Sequence, residues 1–190
     1  MNIMIVGVGG QGTLLTSRII GKVALLGGKD VKMSEVHGMA QRGGSVVTFV
    51  RYGERIDEPV IEEGCADILI SFERLEALRY AHFLKKDGVI ILNDCRIDPM
   101  TVVTGAKEYP KGILEELKKE HPVYTIDGEK VAKELGNSKV LNIAVLGLAS
   151  KHIGFSEEEW INGVKATVPQ KMVDINIEAF LQGVKANDLE

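Results

Sequence analysis

Ile3-Met4-Ile5-Val6-Gly7-Val8-Gly9-Gly10-Gln11-Gly12 opens the chain with an apolar run that breaks into a glycine turn. A short apolar run bounded by glycine reads as a buried strand, and the pattern from Thr13 onward reads as a helix. Strand, glycine turn and helix together suit a phosphate. Glycines let the backbone approach a ligand closely, and the unpaired N–H groups of a helix start face the anion. Gly7, Gly9 and Gly12 stand at the spacing of the G-x-G-x-x-G dinucleotide fingerprint. A tight strand-to-helix turn with no ligand fits the same glycines. A nicotinamide enzyme also calls for an acidic residue at the end of the second strand, and Glu35 meets that demand. Gln11 argues the other way, because a long amide beside the phosphate site offers specific contacts to another ligand or to a partner.

Outward from that turn, strand-like and helix-like patterns alternate. This argues for an α/β fold: a single Rossmann-like domain over 1–186 with a mostly parallel sheet and helices on both faces, then a tail at 187–190. The pattern predicts strand 3–7, helix 13–27, strand 31–35, a loop through 44 and strand 45–52. Tyr52-Gly53-Glu54 is a turn signal, so an antiparallel excursion is expected near 45–60. Strand 67–72, helix 73–85 and strand 88–93 follow, the last with an apolar core suited to burial on both faces. Residues 98–112, with Pro99, Pro110 and two glycines, read as irregular. Helix 113–120, strand 123–126 and helix 128–135 lead to 140–152, which is apolar nearly all round and should be a buried helix. Ser156-Glu157-Glu158-Glu159 is a capping box opening helix 157–166. Val168-Pro169 ends that helix, and helix 174–185 closes the chain.

Composition narrows the function. With 190 residues, 45% apolar and 26% charged, the chain is an ordinary globular protein with a sizeable core. A net charge of −4 and scattered basic residues, adjacent only at Lys85-Lys86 and Lys118-Lys119, give no footprint for nucleic acid. Cys65 and Cys95 are far apart and form no C-x-x-C, which argues against a disulfide framework, a cysteine zinc site or an iron–sulfur cluster held by this chain alone. A strand starting at residue 3 leaves no room for a signal peptide, and no apolar run is long enough for a membrane span, so a cytoplasmic location is expected.

The second motif is Ser34-Glu35-Val36-His37-Gly38-Met39-Ala40-Gln41-Arg42-Gly43-Gly44-Ser45. It packs a carboxylate, an imidazole, an amide and a guanidinium between glycines, directly after a strand. The crevice rule for open α/β sheets places it near the glycine turn, and a loop of about ten residues is longer than most such connections. Arg42 suits an anion or carboxylate through its forked donors. His37 has no Ser or Cys in a recognisable triad arrangement with it. A solvated loop whose charges only keep it soluble is the plainer alternative.

Ser71-Phe72-Glu73 stands at the end of the strand 67–72, where ligands of such sheets gather. Glu73 equally suits the first turn of the next helix, where a carboxylate offsets the helix dipole. Asn93-Asp94 invites the same two readings, and Asp94-Cys95 has no further ligands at metal-binding spacing. In Val168-Pro169-Gln170-Lys171-Met172-Val173-Asp174-Ile175-Asn176, Asp174 suits a helix cap and Lys171 could reach a phosphate or a carboxylate.

Four segments make the chain resemble the small subunits of the 2-oxoacid:ferredoxin oxidoreductases, in particular the indolepyruvate branch. They are Gly7 to Gly12, Glu35 to Val46, Ser71-Phe72-Glu73 with Glu76-Ala77-Leu78-Arg79-Tyr80, and Val168-Pro169 through Asn176 with Ala179-Phe180 and Gly183-Val184. Together they span nearly the whole chain, and Glu-Val-His-Gly-Met-Ala-Gln-Arg is much more specific than the glycine turn. The resemblance implies a larger partner subunit carrying thiamine diphosphate, its magnesium and [4Fe–4S] clusters, with no cofactor held by this chain alone. The assembled enzyme would oxidatively decarboxylate an aryl 2-oxoacid such as indolepyruvate, pass electrons to ferredoxin and release a coenzyme A thioester. Gly7, Gly9, Gly10, Gln11, Gly12 and Thr13, with Ser71 and Glu73, would hold a cofactor, coenzyme A being the candidate. His37, Gln41 and Arg42 would line the shared mouth, His37 handling a proton. Gly43 departs from the bulkier, often aromatic residue expected there. A free-standing NAD-dependent dehydrogenase and a non-catalytic nucleotide-sensing module are the alternatives.

Overall fold

The structure, a computed structural model, describes residues 1–37 and 44–186, and of His37 the backbone alone. The chain begins β1 (Asn2–Val8), α1 (Thr13–Leu26), β2 (Asp30–His37) and β3 (Ser45–Gly53). Then come β4 (Ala66–Ser71), α2 (Arg74–Tyr80), β5 (Leu84–Asn93), the short α3 (Met100–Val103) and α4 (Ile113–Glu120). β6 (Val123–Ile126), α5 (Gly128–Glu134), α6 (Leu141–Ser150), α7 (Glu157–Thr167) and α8 (Val173–Ala186) complete it. Six strands form one sheet in the order β2-β3-β1-β4-β5-β6. β1, β4, β5 and β6 pair in parallel, while β3 lies antiparallel to both β1 and β2. Five strands therefore run one way and β3 alone opposes them, which gives the antiparallel excursion a definite place.

Alternating side chains of the strands feed two cores. Ile3, Ile5, Val50, Ile68 and Ile70 face α1 and the carboxy-terminal helices, whereas Met4, Val6, Phe49, Leu69 and Ile90 face α2 and α4. α6 is buried on every side, as its composition demands. It touches α8 backbone to backbone: a Cβ on Gly183 would stand 1.9 Å from the Ala144 carbonyl oxygen, and one on Gly147 2.1 Å from that of Phe180. At the start of α7 both halves of the Ser156/Glu159 capping box form.

One stretch differs from expectation. The helix predicted over 73–85 stops at Tyr80, a 3₁₀ turn covers Ala81–Phe83, and β5 starts at Leu84 rather than at 88. Leu84 is buried and paired with Ala66, with an irregularity before the ladder resumes at Ile68 and Val89. That pairing with a neighbouring strand overrides the helical pattern of the lysines that follow. The irregular stretch 98–112 also contains the single turn α3.

Candidate functional site

The carboxyl ends of β1, β4 and β5 meet at one crevice, and its floor is a polar weave. The Phe72 carbonyl accepts from Gln11 Nε2 at 2.9 Å and from Asn93 Nδ2 at 3.2 Å. Gln11 Oε1 accepts the Val8 N–H at 2.7 Å, and Asn93 Oδ1 accepts the Gly128 N–H at 2.9 Å. The amide proposed from sequence for an outside contact therefore ties the turn to the end of β4. The packing at Gly7 is close: a Cβ would lie 3.0 Å from Gln11 Oε1 and 3.1 Å from Phe72 Cβ.

Above this floor the glycine turn leads into α1. Gly12, the N-cap of α1, is left-handed at φ 88, and among the described residues no side chain caps the helix. The first turn also contains no acidic residue. The first N–H to be satisfied from the turn is that of Thr16, bonded to the Gly12 carbonyl at 3.1 Å, so those of Thr13, Leu14 and Leu15 precede the ladder. By contrast, α2, α5 and α7 are capped by Glu73, Asp127 and Ser156. A cleft of about 360 Å³ opens here, bounded by Gly10, Gly12, Ile97, Glu129, Lys139 and Asn142 among others. Asn142 Nδ2 donates to the Gly12 carbonyl and to Thr16 Oγ1, both at 3.3 Å, fixing the turn against α6. N–H groups that precede the ladder and a positive helix end suit an anion here, and both Lys139 and Glu129 line the cleft.

The sequence-predicted residues divide three ways. Gly10, Gln11 and Gly12 line the cleft, and Gly9 and the buried Thr13 flank them in the chain. Ser71 and Glu73 are buried beneath it at 0% and 1% exposure, with their polar atoms engaged inside the protein. Ser71 Oγ donates to the Glu73 carbonyl at 2.7 Å. The Glu73 carboxylate accepts from Glu76 N at 3.0 Å, Ile97 N at 3.2 Å and the Tyr109 hydroxyl at 2.6 Å. It thus staples the start of α2 to the long connection that follows β5. His37 ends β2, while Gln41 and Arg42 lie outside the described residues.

Glu35 does not stand where a dinucleotide's ribose acid belongs. β3 lies between β1 and β2, so Glu35 is two strands from the glycine turn, roughly 10 Å across the ladder instead of one spacing of about 5 Å. It accepts a hydrogen bond from Thr48 Oγ1 at 2.9 Å. The antiparallel insertion removes the geometry on which the dehydrogenase alternative depended.

Two further groups at the crevice have altered acidity. Burial, chiefly, and the nearby Glu129 carboxylate push the Cys95 thiol up to about 12, so it is a poor nucleophile. Burial also raises the Glu76 carboxyl, with Glu73 adding to the rise, while the Ser45 hydroxyl and Arg79 pull it back. Among the described residues no group of three or more His, Cys, Asp and Glu could hold a metal ion, and no helix is long and apolar enough to cross a membrane. Sequence reasoning passed over Asn142 and Lys139. Asn142 was open to notice as a lone amide in an otherwise apolar helix, whereas Lys139 carries no such signal.

The family model described as pyruvate ferredoxin/flavodoxin oxidoreductase matches residues 2–186. The indolepyruvate oxidoreductase subunit IorB of Thermococcus kodakarensis is 42% identical over 193 residues, covering 97% of this chain and 95% of its own. The gamma subunit of a keto/oxoacid ferredoxin oxidoreductase from Geobacter sulfurreducens has a similar structure, with TM-score 0.73 at 23% identity over 100% of this chain and 99% of that one. A 2-oxoglutarate:ferredoxin oxidoreductase from Magnetococcus marinus, solved with 2-oxoglutarate, coenzyme A and succinyl-CoA bound, gives TM-score 0.75 at 17% identity. It covers 100% of this chain and 31% of that one, so the same fold recurs there within a longer chain.

Proposed function

The chain belongs to the pyruvate ferredoxin/flavodoxin oxidoreductase family, as a small subunit of the 2-oxoacid:ferredoxin oxidoreductase type, and from that membership we propose the indolepyruvate reaction for it. In that reaction an aryl 2-oxoacid and coenzyme A give the acyl thioester, carbon dioxide, a proton and two electrons, and the electrons pass to ferredoxin. The observation that carries the proposal is 42% identity, nearly end to end, with an indolepyruvate oxidoreductase subunit.

Thiamine diphosphate with its magnesium and the [4Fe–4S] clusters belong, in this reading, to a larger partner subunit, where they supply decarboxylation and electron transfer. This chain contributes one wall of the shared site. The backbone N–H groups at Gly10, Gly12 and Thr13, backed by the α1 dipole, would hold a coenzyme A phosphate, and Lys139, which lines the same cleft, would add charge. Gln11 supports the turn through Val8 and Phe72 and lines the same cleft beside Gly10 and Gly12. His37, Gln41 and Arg42 would serve the mouth, Arg42 holding a carboxylate and His37 a proton.

Reconstitution with the larger subunit tests this. Indolepyruvate, coenzyme A and a one-electron acceptor should yield thioester and reduced acceptor only when both subunits are present. Saturable NADH binding by the isolated chain, or a complex that leaves indolepyruvate untouched, would reject it.

A further inference from the structure

The connection that leaves β2 is gripped from two sides where it returns as β3. On one side the Gly44 carbonyl accepts the Gly9 N–H at 2.9 Å, and Ser45 stands opposite Val8 in the β1–β3 ladder. On the other, Ser45 Oγ donates to Glu76 Oε2 at 2.5 Å and lies 3.2 Å from the Tyr80 hydroxyl. Glu76 Oε1 in turn faces Arg79 Nε at 3.3 Å.

A carboxylate at that point is costly. Glu76 is only 5% exposed, and Glu73 precedes it by one helical turn, so desolvation and like-charge repulsion both oppose its ionised form. An apolar side chain would close the packing of α2 on the sheet without either cost. What the carboxylate provides instead is two separately directed oxygens, one for Ser45 and one for Arg79. A costly polar group whose partner Ser45 pairs with Val8, just before the glycine turn, points to positioning rather than to cohesion.

We infer that Glu76, with Ser45 and Tyr80, is a latch that fixes Gly44 and Ser45, at the start of β3, against the glycine turn, making Glu76 and Ser45 positioning residues for that turn. What the turn holds rests on the proposed function, whereas the latch is a property of this chain alone.

Amide hydrogen exchange on the full chain reads the latch directly through the Gly9 N–H. Ser45→Ala and Glu76→Ala should each speed Gly9 exchange by about tenfold, and the double variant should add little to either. Glu76→Gln keeps an acceptor for Ser45 and should restore near wild-type protection, while amides in α6 and α8 should hold their rates throughout. Unchanged Gly9 exchange in both alanine variants overturns the latch, and so does equal acceleration in α6 and α8, which would mark a general loss of stability.

In the reconstituted complex, both alanine variants should raise the KM for coenzyme A about tenfold with kcat and the KM for indolepyruvate held, and Glu76→Gln should recover it. A wild-type complex without oxoacid turnover defeats the proposed function and leaves exchange to judge the latch. A working complex whose KM for coenzyme A ignores both alanine variants defeats the positioning role.

Discussion

Replacing Glu73 by alanine should unfold the protein far more readily than a lost surface carboxylate would. Its side chain is buried and accepts three hydrogen bonds, from Glu76 N, Ile97 N and the Tyr109 hydroxyl. Alanine leaves two backbone donors without an acceptor, the buried Glu76 N–H and the part-buried Ile97 N–H, and a stranded buried donor costs about 1–3 kcal/mol. The half-buried Tyr109 hydroxyl recovers part of its loss by turning to water. The carboxylate's own desolvation is relieved at the same time, so the net cost falls at about 3–5 kcal/mol, on the order of 10 °C in Tm for a domain this size. The bond at the α2 N-cap is one of the three and is not counted again.

Urea unfolding followed by the fluorescence of Trp160, 1% exposed in the fold, measures this with an unchanged m value expected. A double-mutant cycle with Tyr109→Phe isolates the tyrosine bond, for which a coupling of about 1.5–3 kcal/mol is expected of a hydrogen bond to a charged group. If Glu73 were kept chiefly to touch a ligand, its removal would leave the unliganded chain about as stable as before. A loss below about 0.5 kcal/mol, or no coupling to Tyr109, would refute the staple.

Two further outcomes follow from packing and acidity. Gly183→Ala should cost about 3 kcal/mol or more, or prevent soluble expression, because its Cβ would meet the Ala144 carbonyl oxygen at 1.9 Å. Gly28→Ala, at φ +73 with nothing within 4 Å of the added carbon, should cost only about 1–2 kcal/mol, and urea titrations of the pair decide the point. With dithionitrobenzoate at pH 8, the partly exposed Cys65 should react in the native chain and the buried Cys95, pushed up to about 12, only after unfolding. Equal labelling rates for the two would contradict the environment given to Cys95.

Much of the architecture was legible from local pattern. The apolar run into the glycine turn, the Ser156 capping box and the all-apolar stretch around 140–152 each carry their signal within a few residues, and each formed. The boundary between α2 and β5 was not legible, because Leu84 is drawn into a strand by Ala66, a residue outside any local window. Gln11 is the sharper case. Its residue type and position suggested an outward contact, but whether its amide meets a ligand or Phe72 depends on where the end of β4 arrives. Glu73 was open to both a cap and a ligand role; the cap formed, and the two further partners it holds, Ile97 and Tyr109, come from a distant connection that no local pattern announces.

By itself the sequence determined that a buried strand ends in a glycine turn under a helix start, that the fold is α/β, and that the chain resembles a family of multi-subunit oxidoreductases. These are matters of side-chain periodicity, glycine placement and motif, all of which act locally. Only the tertiary structure decided that β3 enters between β1 and β2, and with that insertion Glu35 moves away from the glycine turn and the hydride-transfer alternative loses its ribose contact. Strand order is settled by which edges bury their backbone groups against one another across the whole sheet, and no stretch of chain contains that information alone.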